Sequence, residues 1–245
     1  MCEKDLEIAD NQEMLAKMVM DMLHRTIVHH VFWFKEVEHQ MGFERALEVM
    51  DSVYDQSMGL QLKRLGKILN FDVVNGIPAP LLNLPEEKLS TLVENIGLNW
   101  LAADGIWFQA VEREYGMNEA KRCNDSCWAW FSPFEAWSIM RMHNIEPNSG
   151  LVGLKKALEF RLYAKINTQT IIEESDNSLV LQMNNCRVQA ARKRKNMEDY
   201  PCKSAGLVEY TNFARSIDSR IKTECIACPP DKHPEDWYCS WRFTI

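Results

Sequence analysis

Five cysteines near the end of the chain are the side chains best suited to chemistry: Cys186, Cys202, Cys225, Cys228 and Cys239. Thiolates bind zinc and iron; four donors usually form a structural site, whereas three donors plus water form a catalytic one. A CxxC pair is specific for a metal only when a second pair follows at a suitable distance; here the second element is the single Cys239, and Cys202 and Cys186 are available to complete the site. We therefore predict a metal site, zinc or alternatively iron, formed by cysteines from this set.

The spacing within the CxxC pair sets a geometric condition on that site. On a regular strand Cys225 and Cys228 point to opposite faces, because three is an odd step in a structure of period two. Both can bind one ion only if the chain turns, and Pro229-Pro230 makes a turn plausible. The alternative is that these thiols are free and buried as small hydrophobic side chains.

Charged and aromatic residues near the cysteines could bind a ligand. Arg187 and Arg192 follow Cys186 closely, and arginine forms bidentate pairs with carboxylates. We expect them to bind a small anionic molecule, with Trp241, on the strand face of Cys239, as a further ligand contact. Arg192 belongs to a cationic run over residues 191–195, and the alternative is that this run forms an exposed helix face.

Two carboxylates and one thiol are candidate catalytic groups. Glu224 and Asp218 lie near the cysteines in sequence and are candidate proton carriers. Cys202 is the candidate nucleophile, because a thiol with a lowered pKa is present as the reactive thiolate.

The elements that must position these residues fall into two parts of different charge. Residues 1–148 carry 13 Lys and Arg against 23 Asp and Glu, a net charge of −10. Residues 149–245 carry 15 against 12, a net charge of +3. The turn-forming stretch 146–150 lies between them. We predict a helical unit over 1–148 and a cysteine-rich α+β unit over 149–245.

The helical part contains an internal repeat. Aligning the sequence with itself at an offset of 74 residues, without a gap, places Trp33 on Trp107 and Gly42 on Gly116. Nine identities fall between positions 33 and 71 of this alignment. This pattern predicts a duplicated helical hairpin. Trp33 and Trp107 would be equivalent core residues or, alternatively, would line a shared pocket.

In the second part, the spacing of apolar residues changes to the two-residue period that is typical of strands. Residues 168–173 and 178–183 surround Ser175-Asp176-Asn177 and predict a β-hairpin. Residues 222–228 and 237–245 read as two more strands, with helices over 151–166, 187–196 and 206–217. The predicted fold class is therefore α+β, with an antiparallel sheet in the C-terminal part.

Overall composition excludes some classes of function. The 245 residues carry a net charge of −7, which argues against non-specific nucleic-acid binding. No apolar run approaches the length that a membrane-spanning helix needs, so we expect no membrane span. The N-terminus is polar and acidic, unlike a signal peptide, and we expect a cytoplasmic protein with reduced cysteines.

The end of the chain resembles a known type of domain. Glu224-Cys225-Ile226-Ala227 and the segment 239–243, with Cys202 and Gly206 upstream, resemble the vinyl-4-reductase-type small-molecule-binding domain. That resemblance implies an α+β fold with a cysteine metal site, and Cys202, Cys225 and Cys239 match its cysteines. Cys228 lies at a position where a small residue is expected, so it is either an extra metal ligand or a cysteine with no role in metal binding.

Two weaker resemblances extend this picture. Residues 186–245 distantly resemble L-2-amino-thiazoline-4-carboxylic acid hydrolases, and the whole chain looks like an uncharacterised family of bacterial cytosolic proteins. The hydrolase resemblance implies cleavage of a small heterocycle or amide-like bond, by a metal-activated water or a thiolate. Two other functions stay open: a non-catalytic ligand or metal sensor whose helical half contacts a partner or forms a homodimer, and a structural zinc domain.

Overall fold

The protein divides into two compact units. The computed structural model describes residues 3–194, 196 and 198–245, with side chains from residue 11 onward. Unit 1 is Met1–Asn83 and unit 2 is Leu84–Ile245. None of the described helices combines the length and the apolar character needed to cross a membrane.

Unit 1 is a helical hairpin followed by a short β-hairpin. Its elements are α1 (Glu3–Met41), α2 (Phe43–Leu69), β1 (Val73–Val74), β2 (Ile77–Pro78) and α3 (Ala79–Leu82). Asn75 and Gly76 both have positive φ, 50° and 79°, which a tight two-residue hairpin turn requires.

Unit 2 contains helices and one antiparallel sheet. The helices are α4 (Glu86–Tyr115), α5 (Met117–His143), α6 (Gly150–Leu158), α7 (Leu162–Ile166), α8 (Arg187–Arg194) and α9 (Lys203–Ile217). The strands are β3 (Thr168–Ser175), β4 (Ser178–Asn185), β5 (Lys222–Ala227) and β6 (Cys239–Thr244), in the order β3-β4-β6-β5. The α+β class predicted from the sequence is confirmed.

The predicted repeat is a duplicated helical hairpin. Helices α1 and α4 end at residues 41 and 115, and α2 and α5 each have 27 residues, so the helix boundaries keep the same offset as the aligned tryptophans. The connecting glycines adopt the same conformation, with φ 89° at Gly42 and 87° at Gly116. Asn70 and Asn144 end the second helices with left-handed φ of 57° and 50°. The duplication was therefore readable from the sequence, because local turn residues define it.

The repeated tryptophans are not core residues. Trp33 is 62 % exposed and Trp107 is 75 % exposed. Within unit 1, Trp33 lines a largely apolar groove of about 770 Å³ formed by α1 and α2. The helical period identified these positions as apolar, but whether an apolar helix face is covered depends on tertiary packing.

The main core lies in unit 2, around α9. This helix packs against α5 on one side and the sheet on the other: Ala136 of α5 and Phe213 of α9 share a buried cluster with Trp241 of β6. Residues before and after position 148 thus belong to one core. The division predicted at residue 148 differs from that of the structure, since the charge change does not coincide with a change of packing partner.

One predicted helix is interrupted. The pattern over 151–166 is read as a single helix, but α6 ends at Leu158 and α7 begins at Leu162. Arg161 precedes α7 in an extended conformation (φ −61°, ψ 150°) and its side chain is buried. There it forms ion pairs with Glu135 at 2.9 Å and Glu209 at 2.7 Å. The break lets a guanidinium enter the core, where it balances carboxylates from α5 and α9.

Candidate functional site: a cavity with a thiol cluster

A cavity of about 420 Å³ lies within unit 2. Residues from α4, α5, α8, α9 and the sheet line it, so all the layers of the unit contribute to its wall. Its polar and reactive lining residues include Asp104, Glu112, Cys186, Arg187, Gln189, Arg192, Tyr200, Cys202, Glu209, Cys228, Cys239 and Trp241. Its size and its mixed aromatic and polar wall are typical of small-molecule sites.

A β-bulge brings two distant cysteines together at this wall. In the pairing of β5 with β6, Cys225 lies opposite Trp241, but Ala227 lies opposite Ser240, so one extra residue is inserted. The residue after Ala227 therefore comes beside Cys239, and Cys228 and Cys239 both line the cavity. The turn expected at Pro229-Pro230 follows directly, where the Asp231 amide donates to the Cys228 carbonyl at 2.9 Å.

The start of α9 adds a third cysteine. Cys202 is the N-cap residue of α9, and the amide of the next residue, Lys203, donates to the Pro229 carbonyl at 2.9 Å. This contact places the Cys202 Sγ 3.5 Å from the Cys228 Sγ. Cys202, Cys228 and Cys239 are called the thiol cluster below.

The contacts within the thiol cluster change the pKa values of its members in different directions. The hydrogen bond with Cys228 lowers the pKa of the Cys202 thiol despite its burial, and Gln189 Nε2, at 3.5 Å, contributes to the same effect. Hydrogen bonding to Cys202 raises the pKa of Cys228, and either thiol of this pair could be the donor. Of these two thiols, Cys202 is the one more easily converted to thiolate.

The two remaining cysteines of the predicted set lie apart from the cluster. Cys186 lines the cavity just before α8, and burial raises its pKa to about 12. Cys225 packs against the core rather than lining the cavity, and burial raises its pKa to about 11. Both environments favour the neutral thiol.

A complete metal centre is not preformed in the described part of the chain. Among the residues that the structure describes, no group of three or more His, Cys, Asp or Glu side chains has an arrangement that could hold a metal ion. The five-cysteine set predicted from the sequence stays a prediction; within it, Cys202 and Cys228 are in contact, and Cys239 lines the same cavity.

The predicted ligand-binding residues all line the cavity, but their polar groups are used differently. The Arg187 guanidinium pairs with Glu94 at 2.8 Å and donates from Nε to the Ile166 carbonyl at 2.6 Å. Arg192 donates from Nε to the Glu198 carbonyl at 2.6 Å. Trp241 is fully buried, and its Nε1 has no hydrogen-bond partner among the described residues.

The predicted proton carriers lie elsewhere. Asp218 accepts from the amide of Gly150 at 3.1 Å and pairs with Arg220, whose hydrogen bond lowers the pKa of Asp218 to about 2. Glu224 projects from β5 and pairs with Arg242 at 3.1 Å. Neither lines the cavity. Their role as proton carriers stays a prediction, and their position away from this cavity follows because nearness in sequence to a cysteine does not decide which face of an element a carboxylate occupies.

Carboxylates that the sequence analysis missed do line the cavity. Burial raises the pKa of Asp104, and it raises that of Glu209 to about 7 despite the opposing charge of Arg161. A signal for Glu209 was present: it occupies the buried stripe of α9, four residues from both Ala205 and Phe213. A carboxylate on an apolar helix face needs a buried partner or a functional role.

Close packing of α9 on the sheet leads to a stability prediction. A Cβ added to Gly206 would lie 2.5 Å from Cζ2 of Trp241. We expect Gly206→Ala to lower the free energy of unfolding by about 1–3 kcal/mol, because the indole must move in a filled core. Urea unfolding measures the change. The matched control is Gly105→Ala, a helical site with no atom within 4 Å of the added Cβ, where stability should stay equal or rise. Equal effects at the two glycines would refute the steric explanation.

Comparison with known proteins identifies a family but no characterised relative. Residues 82–245 match the family model described as "Family of unknown function (DUF6125)", a range close to unit 2. No curated protein and no solved structure matches the chain. The expected resemblances to vinyl-4-reductase-type domains and thiazoline hydrolases are not found, whereas membership of an uncharacterised family is confirmed. Since the match covers about two thirds of the sequence, the chain belongs to DUF6125, a family of unknown function.

Proposed function

We propose that unit 2 binds a small molecule in its 420 Å³ cavity and that the thiol cluster in the cavity wall binds a soft metal ion, zinc in the first instance. The observation that carries the proposal is that three thiols from separate elements, the start of α9, the end of β5 and the start of β6, line one cavity, with Cys202 and Cys228 in contact. If they were only buried hydrophobic groups, nothing would require them to meet there.

Thiols are zinc ligands, but the described residues hold no preformed group of three around an ion position, so the site would be completed only when metal binds. Zn–S bonds are about 2.3 Å, so two thiolates of a tetrahedral site lie about 3.8 Å apart. The Cys202 and Cys228 sulfurs are 3.5 Å apart, close to that value. Cys202, Cys228 and Cys239 would hold the ion, which would supply Lewis acidity beside the bound molecule. Iron is the alternative metal because it too accepts thiolate ligands.

Unpartnered polar atoms support a ligand in the cavity. The Tyr200 hydroxyl and the Trp241 Nε1 are buried, line the cavity and have no hydrogen-bond partner in the described part of the protein. Buried polar atoms normally have partners, and a bound molecule would supply them. The cavity also favours ligand binding over a purely structural zinc domain.

A second candidate function is thiol-dependent hydrolysis, favoured by the lowered pKa of Cys202. Its thiolate would attack the electrophilic carbon of a small heterocycle or amide-like bond, and the C–N bond would break as the nitrogen takes a proton. Water would then hydrolyse the resulting thioester and release the thiol. Glu209 lines the same cavity, and its pKa of about 7 suits a group that exchanges a proton near neutral pH. A non-catalytic sensor would share the cavity but would show no turnover.

The metal test uses the full chain purified without added metal. We expect about one zinc or iron per chain by elemental analysis, and a loss of nearly all of it in Cys228→Ser, because Cys228 contacts Cys202 and lies beside the start of β6, where Cys239 is. Cys123→Ser is the matched control, since Cys123 is exposed on α5. Circular dichroism checks that each variant is folded.

Two results would contradict the metal site. One is a folded wild-type protein that contains no metal and takes up none from equimolar zinc. The other is an equal metal content in wild type and Cys228→Ser. A metal-free protein in which iodoacetamide modifies Cys202 faster than the exposed Cys123 would instead favour the thiolate function, and peptide mass mapping distinguishes the two cysteines.

A further inference from the structure

The charge around the cavity is unbalanced toward negative. Asp104, Glu112 and Glu209 line it, against Arg187 and Arg192. Arg187 is already neutralised by Glu94 outside the lining set. These groups leave the wall with more carboxylates than free cations.

The buried charges beneath the cavity do not restore the balance. Glu209 shares the Arg161 guanidinium with Glu135, so two carboxylates depend on one cation. Burial raises the pKa of Glu209, as expected for a carboxylate with too little positive charge nearby.

Asp104 is the carboxylate with the least compensation. Within the described ranges, no basic side chain forms an ion pair with Asp104, and no hydrogen bond to its side chain is present. It lies on the cavity face of α4, one turn before Phe108. Asp104, Tyr200 and Glu209 all line the cavity, so their polar groups surround a common space.

Aromatic rings occupy much of the remaining wall. Phe108 packs edge-on against Tyr200, with ring centroids 5.3 Å apart, and Tyr163 stacks on Trp128 at 5.7 Å. All four line the cavity. Aromatic faces attract cations through their quadrupole and also cover apolar groups. A carboxylate among aromatic rings is therefore suited to an organic cation.

Resting on the proposed ligand function, we infer that the cavity takes a small aromatic or apolar molecule carrying a positive charge, such as an arylalkylamine, with its ammonium group bound by Asp104. This differs from the anionic ligand expected from Arg187 and Arg192. Of these two arginines, Arg187 is paired with Glu94, whereas Arg192 keeps its charge while its Nε donates to the Glu198 carbonyl, so one cation remains against Asp104, Glu112 and Glu209.

The test compares three probes of similar size and different charge on the full chain at pH 7. They are 2-phenylethylamine, 3-phenylpropan-1-ol and 3-phenylpropionate, and isothermal titration calorimetry measures each Kd. We expect the amine to bind at least tenfold more tightly than the carboxylate. Asp104→Asn should weaken amine binding at least tenfold and leave alcohol binding within about twofold, which also shows that the cavity is intact. Glu114→Gln is the matched control on α4, because Glu114 is exposed and does not line the cavity.

Each contrary outcome has a separate meaning. The inference is overturned if the carboxylate binds as tightly as the amine, or if Asp104→Asn leaves amine affinity unchanged. Binding of the alcohol or carboxylate alone would overturn the cation preference but keep the proposed ligand function. Absence of binding by all three probes would overturn this inference, while the metal content of the same samples still tests the thiol cluster independently.

Discussion

Replacement of Arg161 by methionine should lower the free energy of unfolding by about 3–5 kcal/mol at pH 7. Arg161 is 2 % exposed and pairs with Glu135 and Glu209, which are themselves buried. Methionine fills part of the volume but leaves two buried carboxylates without a cation. The loss should be smaller at pH 5 than at pH 8, because protonation removes the buried charge.

Urea unfolding followed by tryptophan fluorescence measures this effect, since seven of the eight tryptophans lie in unit 2. Arg215→Met is the control on the exposed side of α9, where we expect a change below about 0.5 kcal/mol. A loss below about 1 kcal/mol for Arg161→Met would show that the ion pairs do not stabilise the fold as described.

Replacement of Glu209 by glutamine should remove a pH dependence of stability. Burial raises the pKa of Glu209 in the folded protein to about 7, above its ordinary value of 4.5. Below pH 4.5 the group is protonated in both states. Between 4.5 and 7 it ionises first in the unfolded chain, so the free energy of unfolding falls as pH rises, by up to about 1.4 kcal/mol per pH unit and about 3 kcal/mol in all.

Glutamine keeps an oxygen for Arg161 and leaves one carboxylate, Glu135, for one guanidinium. We expect Glu209→Gln to be more stable than wild type by about 1–3 kcal/mol at pH 8 and to lack the decline between pH 4.5 and 7. Glu114→Gln is the exposed control on α4 and should keep the wild-type profile. If wild type and Glu209→Gln have parallel pH profiles, Glu209 does not titrate in this range in the folded protein.

The helices and strands were largely readable from the sequence because short-range patterns define them. Gly42 and Gly116 begin the second helix of each hairpin with φ near +90°, a conformation that glycine adopts without a Cβ clash. The alternating residues of β4 place Leu179 and Leu181 in the core, opposite Phe243 and Trp241 of β6. The alternation of residues along a strand and the residue types of a turn are local properties, so they can be recognised in one sequence.

The candidate site was readable only in its residue types. The sequence indicated thiols that could act together. It did not show that Cys228 lies beside Cys239, which follows because a bulge shifts the register of β5 by one residue. Cys202 joins them because the start of α9 hydrogen-bonds to the turn after Cys228. The bulge in β5 and the contact of α9 with the turn depend on the elements packed against them, and no short-range sequence pattern predicts them.

By itself, the sequence determined the fold class, the duplicated hairpin, the antiparallel strands and the presence of five cysteines in the C-terminal part, since these follow from periodicity, turn residues and composition. Only the tertiary structure decided that Asp104 and Glu209 face the cavity while Asp218 and Glu224 form ion pairs elsewhere. It also decided that Arg161 breaks a helix to enter the core. The physical reason is that burial and charge compensation depend on which distant segments pack together, and sequence spacing does not encode that directly.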